Sequence, residues 1–221
     1  MPQGNWTPIS ETQAALLGLS HSASARAAET VEIVTTPESY RGDVQRGLGR
    51  GDIGRLPFAG DSSIEFCGFA RSDANTLTTT FNPAGGRYIG IHLDNWDRLP
   101  YRNRLQSRRR LCINAGPGAR YLLLGSVDAL AICRALHANY RERHPHTEDI
   151  RAYVSAGHRL RCLRILLKPG EGYVAPTELV PHDGSTAGLA EPSVAAFWLG
   201  HWDVGDFRSL LRPTRSTSRD E

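Results

Sequence analysis

In the segment Ile91-His92-Leu93-Asp94-Asn95-Trp96-Asp97 a histidine and an aspartate stand two residues apart. On extended backbone, side chains alternate between faces, so His92 and Asp94 point the same way. One imidazole nitrogen and one carboxylate oxygen can then reach a single ion. Two histidines and one carboxylate on one octahedral face leave three positions open, the ligand set used by non-haem iron(II) oxygenases. The two-residue spacing is common, so it needs a third ligand to mean anything. His182 is the best placed. It follows the strand-like run Gly172-Tyr173-Val174-Ala175-Pro176 and adjoins Asp183-Gly184-Ser185. A strand end fixes a side chain, and glycine admits close backbone approach. His158, in a helix-to-strand loop 66 residues after His92, ranks behind it. His144 and His146 flank Pro145 and read as a polar turn. His201, between Gly200 and Trp202, either packs or lines a pocket. His21 and His137 fall on expected helices and read as structural.

The elements that must position these residues follow from periodicity. Residues 9–29 read as a helix, with Ser10 and Gln13 in capping-box spacing. Val31–Val34 is a short strand, and the Gly- and Arg-rich residues 41–63 are a loop. Strands follow at 64–69, 76–81 and 88–92. Leu111–Asn114 and Arg120–Leu124 read as a hairpin around Gly116-Pro117-Gly118. Apolar spacing predicts a helix over 127–142 capped by Ser126, and a second over 147–156. Strands resume at 161–167, 172–176 and 194–199, and residues 212–221 are a polar tail. The expectation is one domain over 1–221: an N-terminal helix and loop extension (1–63), a core (64–211) and a flexible tail (212–221). Many short strands with few helices predict a mainly β barrel or sandwich with flanking helices.

Composition narrows the classes. Forty per cent of the 221 residues are hydrophobic, enough for one sizeable core, and no apolar run is long enough to span a membrane. The start lacks the order of a secretory signal, which predicts a cytoplasmic protein. A net charge of +3 does not by itself imply nucleic acid. Lys168 is the only lysine, so arginine is this chain's default cation and its abundance says little. Cys67, Cys112, Cys133 and Cys162 form no CxxC pair, and read as buried thiols rather than a structural zinc site.

Three segments in order resemble bacterial iron(II)/2-oxoglutarate-dependent oxygenases that act on free amino acids or natural-product intermediates. They are Ile91–Asp97, Arg110–Gly116, and Gly172–Glu178 with His182–Ser185; the likeness spans roughly residues 75–202. The resemblance implies a double-stranded β-helix, or jelly roll, with His92, Asp94 and His182 holding Fe(II). It implies 2-oxoglutarate as cosubstrate, and a small molecule and molecular oxygen as partners, with neither nucleic acid nor membrane. Because Asp94 is present, it favours hydroxylation, desaturation or cyclisation over halogenation. One departure stands out. Familiar members carry an arginine on the strand after the distal histidine, whereas Val194–Leu199 has no basic residue. Arg110 is then the leading anchor for the cosubstrate's far carboxylate, with Arg87 and Arg104 behind it, since a guanidinium pairs bidentately with carboxylate. The alternative for Arg108, Arg109 and Arg110 is a solvated face. Asn95, Trp96 and Asp97 are expected to touch substrate. Trp198 is expected either to close the pocket or to pack in the core.

Two other readings compete. A cupin-like metal-dependent dioxygenase or isomerase would use the same three ligands without 2-oxoglutarate, and the missing arginine favours it. A non-catalytic small-molecule-binding β-sandwich would hold no metal.

Overall fold

Alternation of apolar residues builds two faces into each long strand, and both faces are used. In the computed structural model, residues 5–10, 12, 29–37, 40–42, 44, 46 and 63–207 are described. The expected helix over 9–29 and the loop over 41–63 lie largely outside the described residues, and the tail over 212–221 lies wholly outside them. A five-stranded sheet runs β1 (Glu32–Thr35), β8 (Glu171–Ala175), β5 (Arg109–Pro117), β10 (Ser193–Gly200), β2 (Glu65–Ser72). A three-stranded sheet runs β7 (Cys162–Leu167), β6 (Arg120–Gly125), β9 (His182–Ser185). Every pairing in both is antiparallel. A small hairpin joins β3 (Phe81–Asn82) to β4 (Arg87–Tyr88). Eight strands in two antiparallel sheets, with helices outside, make a jelly-roll sandwich of the double-stranded β-helix type.

The interior between the sheets takes one face of β5, β8 and β10. Cys112, Leu122, Leu124, Leu167, Tyr173, Ala175 and Ala195 form that cluster. The opposite face carries Leu111, Ile113, Val174, Ala196 and Trp198, packed with Val34, Trp202 and Phe207. Strand β5 is therefore buried on both sides, which explains its nearly continuous apolar run. Burying each such aliphatic side chain contributes about 1.5–3 kcal/mol.

Two expectations are corrected here. Residues 111–114 and 120–124 are not a hairpin: β5 pairs with β10 and β8, whereas β6 pairs with β7 and β9. The Gly116-Pro117-Gly118 turn instead carries the chain from one sheet to the other. Gly118 passes so close to Glu191 and Pro192 that a Cβ there would lie 2.7–2.8 Å from their atoms. The expected strand over 76–81 joins a ladder only at Phe81–Asn82. Thr76 and Thr79 instead donate their amides to Thr186 Oγ1 and Gly184 O along β9.

The helices are shorter than predicted. Helix α1 covers Ala129–Leu136 and is capped by Asp128, whose carboxylate accepts from the Ala131 amide; Ser126 does not cap it. Only a 3-10 turn, Tyr140–Glu142, continues the predicted span. Helix α2 covers Thr147–Ser155. Its cap is His146, in a reciprocal box with Asp149, so the His-Pro-His segment is the polar turn expected. Both helices bury their apolar sides against Leu93 and Leu179 in a third cluster. None of the described helices is long and apolar enough to cross a membrane. Of the four thiols, all free, Cys112 and Cys133 are buried as expected, but Cys67 is exposed.

Candidate metal centre

Leu93 explains why its two neighbours face inward. Its side chain packs under α1 and α2 with Ala129, Ile132 and Ile150, so strand alternation turns His92 and Asp94 toward the barrel interior. Thr147, at the start of α2, holds the Leu93 backbone at both ends: its hydroxyl accepts from Leu93 N at 3.2 Å and donates to Leu93 O at 3.1 Å. His92 and His182 face one another across an isolated antiparallel bridge, exchanging amide hydrogen bonds of 3.0 and 2.9 Å. The Asp94 amide donates to Thr177 O at 3.0 Å, tying it to the same loop.

His92, Asp94 and His182 are all buried, at 3%, 8% and 2% exposure, and offer ligand atoms within 4.8 Å of one another. The Nδ1 atoms of His92 and His182 lie 2.8 and 3.1 Å from the carbonyls of Gly90 and Val180. That engages Nδ1 on each ring and turns both Nε2 atoms toward Asp94, at 3.8 Å from Oδ1 and 3.6 Å from Oδ2. Two metal bonds of about 2.0–2.2 Å span at most about 4.4 Å, and the 3.8 and 3.6 Å separations from Asp94 lie within that reach, so the three side chains fit a single divalent ion. The electrostatics agree. Burial opposes the Asp94 charge, but Arg110, His182 and His92 outweigh it and hold the carboxyl below its usual range. Burial pushes His182 down to about 3, which keeps the imidazole neutral as a ligand must be. Asp94 Oδ2 is fully buried, and its charge is answered by Arg110 Nη2 at 2.8 Å. His158 is not a ligand: it is exposed and stacked on Tyr153.

The arginines fall into distinct environments. Arg110, on β5, places Nη2 2.8 Å from Asp94 Oδ2 and Nη1 3.4 Å from His182 Nε2, with its carbon 5.0 Å from the Phe197 ring centre. It belongs to the triad itself and is not an anchor at a distance from it. Arg104 is wholly buried and saturated: it donates to the carbonyls of Glu178, Asp94 and Leu99 and to Asn95 Oδ1, and pairs with Glu178 at 3.0 Å. Its role is to hold the Asp94–Leu99 loop, and Glu178 also accepts from the Asp97 amide at 2.6 Å. Arg87 is exposed on the β3–β4 hairpin. Arg108 pairs with Asp97 and Glu65, and Arg109 is buried on the outer face against Glu32. The three consecutive arginines are thus no solvated face.

Of the expected substrate contacts, Trp96 is half exposed, Asn95 is exposed and bonded to Arg104, and Asp97 is engaged with Arg108. Of its two expected readings Trp198 takes core packing, which corrects its place among the substrate contacts: it is 2% exposed and lies on the outer face of the larger sheet against Phe66, away from the barrel interior. His201 is exposed.

Three residues of the site escaped the sequence reading: Glu178, Tyr173 and Arg120. Arg120 opens the apolar strand Arg-Tyr-Leu-Leu-Leu and shares a face with Leu122 and Leu124. A basic residue in phase with an interior stripe was the available signal. Tyr173 lies across β5–β8 from Cys112. Burial raises its phenol far above the usual value, with Arg110 and Arg120 both close enough to pull against that rise. A second grouping, Cys133, His137 and Asp149, sits between the helices. There His137 Nε2 and Asp149 Oδ1 pair at 2.9 Å.

No protein-family model matches the chain, and no curated protein matches it. Solved structures do. They include dTDP-4-dehydrorhamnose 3,5-epimerase from Elizabethkingia anophelis (14% identity, 65% of this chain and 52% of that one, TM-score 0.31). RmlC from Streptococcus suis in complex with dTDP-D-xylose is similar at 11% identity, 80% and 66% coverage and TM-score 0.35. Iron-bound HygX from Streptomyces hygroscopicus is similar at 13% identity, 88% coverage of each chain and TM-score 0.32. This chain spans about half to two thirds of the length of the first two. The expectation of an iron(II)/2-oxoglutarate oxygenase is corrected at the site itself: none of the three arginines assigned to the cosubstrate is placed to anchor it, since Arg110 is paired with Asp94, Arg104 is saturated and Arg87 is exposed.

Proposed function

We propose that this protein is a metal-dependent, cupin-like enzyme, a dioxygenase or isomerase that converts a small molecule without 2-oxoglutarate. The observation that carries the reading is the convergence of His92, Asp94 and His182 inside the barrel, with both Nε2 atoms within 4 Å of the buried Asp94 carboxylate. A bound divalent iron would supply Lewis acidity and open positions for substrate or oxygen. The chain's own residues do the rest. Arg110 holds one Asp94 oxygen and thereby orients the carboxylate. The Gly90 and Val180 carbonyls fix the two rings. Leu122, Leu124, Phe197 and Ala195 line the interior and keep water from the reacting centre.

Anaerobic reconstitution with iron(II), followed by metal analysis of the desalted protein, tests the reading. About one iron per chain is expected in the wild type and none in Asp94→Asn or His182→Ala. A wild type that retains no divalent metal overturns it. Oxygen consumption during turnover of a small-molecule panel then assigns a dioxygenase; product of unchanged mass without oxygen uptake assigns an isomerase.

A further inference from the structure

Among the described residues, Arg120 is the one buried arginine of the interior whose charge no carboxylate answers. It is 5% exposed, yet Nη1 has no hydrogen-bond partner, and Nη2 meets only the neutral hydroxyl of Thr79 at 3.1 Å. Among the described residues no carboxylate pairs with it. Arg104, Arg109 and Arg110 are each paired with Glu178, Glu32 and Asp94. An uncompensated buried cation is costly, and a guanidinium is suited to be answered by a bound carboxylate or phosphate.

Its position fits a ligand of the triad. Leu124 lies directly opposite His182 and Leu122 opposite Gly184, with Arg120 next on the same face of β6. The guanidinium curls back over Gly184: a Cβ there would collide with Arg120 Nη2 and Thr79 Oγ1. Gly184 is two residues along β9 from His182, a separation of roughly 7 Å. Tyr173, also buried in the interior, lies close enough to feel both Arg110 and Arg120.

We infer that Arg120, with Thr79, binds the carboxylate or phosphate group of a small anionic substrate whose reacting end lies at His92, Asp94 and His182. This deepens the proposed function and rests on it for the reacting end, but the anion site itself needs no metal. A planar guanidinium with a free edge suits either oxyanion, because both accept two parallel N–H bonds. The roughly 7 Å separation limits the substrate to a short chain between its anionic group and the reacting atom.

The test uses metal-free protein, with inorganic phosphate and propionate as separate probes at constant ionic strength, read as the shift in Tm. At about ten times the Kd, a wild-type rise of about 3–5 °C is expected for one or both probes. A response to phosphate alone assigns a phosphorylated substrate, and a response to propionate alone a carboxylic acid. Arg120→Met should abolish the response and, without probe, melt no lower than the wild type, since it removes an unanswered charge. Gly184→Ala, which displaces the guanidinium and keeps its charge, should also abolish it and serves if Arg120→Met does not fold. No wild-type response to either probe overturns the inference, as does an undiminished response in a folded Arg120→Met or in Gly184→Ala. Iron loading is measured in parallel: iron without anion binding sinks this inference alone, and anion binding without iron sinks the metal-dependent function alone.

Discussion

Arg109 and Arg110 are neighbours in the chain and face opposite sides of the same sheet. On the outer face, Arg109 is a clamp. It pairs with Glu32 at 2.9 Å and donates to the carbonyls of Thr30, Val174 and Trp202, stitching β1 and the chain after β10 onto the sheet. On the inner face, Arg110 meets a carboxylate and an imidazole that are themselves candidate ligands. The outer surface around Arg109 is an apolar cluster with Trp198, whereas the inner surface mixes aliphatics with Tyr173, Arg110 and Arg120. One residue type therefore serves cohesion on one side and the site on the other, and the difference lies in what each guanidinium faces.

The largest effect that would break this contrast concerns the inner face. His182→Ala should remove metal binding altogether while leaving a folded β protein by far-ultraviolet circular dichroism. Retained stoichiometric iron would mean that the inner face is not a metal site. Next comes the clamp. Arg109→Met strands the buried Glu32 carboxylate and should cost about 3–5 kcal/mol in urea denaturation with iron affinity unchanged. A loss of iron affinity at equal stability would reverse the roles of the two faces.

Arg110→Leu sharpens the comparison further. It removes a partner of a ligand but not the ligand, so iron affinity should fall by about 10–100-fold in a competition titration. If affinity is untouched, Arg110 does not orient Asp94. A smaller effect is expected for Trp198→Phe, which shortens a buried side chain of the outer cluster and should lower stability by about 1–2 kcal/mol, without altering iron or anion binding. Altered binding would return Trp198 to the pocket. The smallest is Trp96→Ala: at 50% exposure it should move stability by no more than about 0.5 kcal/mol.

Local periodicity made much of this protein legible. The His92–Asp94 spacing, the strands at 161–167, 172–176 and 194–199, the α2 start, and the division of residues 108–114 into two faces are all short-range facts. The pleat and the helix period act over a few residues, and the chain obeyed them. His182 was legible for a similar reason, as a histidine at a strand end beside glycine. What the sequence did not contain was which strands would meet. The Gly116-Pro117-Gly118 turn looks like a hairpin and is a crossing between sheets, since β5 is hydrogen-bonded to β10 and β8 and not to its neighbour in the chain. Trp198 sits one residue from Phe197, and alternation assigns them opposite faces without saying which face is the interior. Arg110 could be given a face but not a partner, so an anchor for a cosubstrate became a neighbour of Asp94. Arg104 and Glu178, 74 residues apart, met only when the loop after Asp94 folded against the one before His182. Arg120 stood in plain view as one more arginine in an arginine-rich chain. Burial without a partner is a property of the closed barrel, and only the closed barrel reveals it.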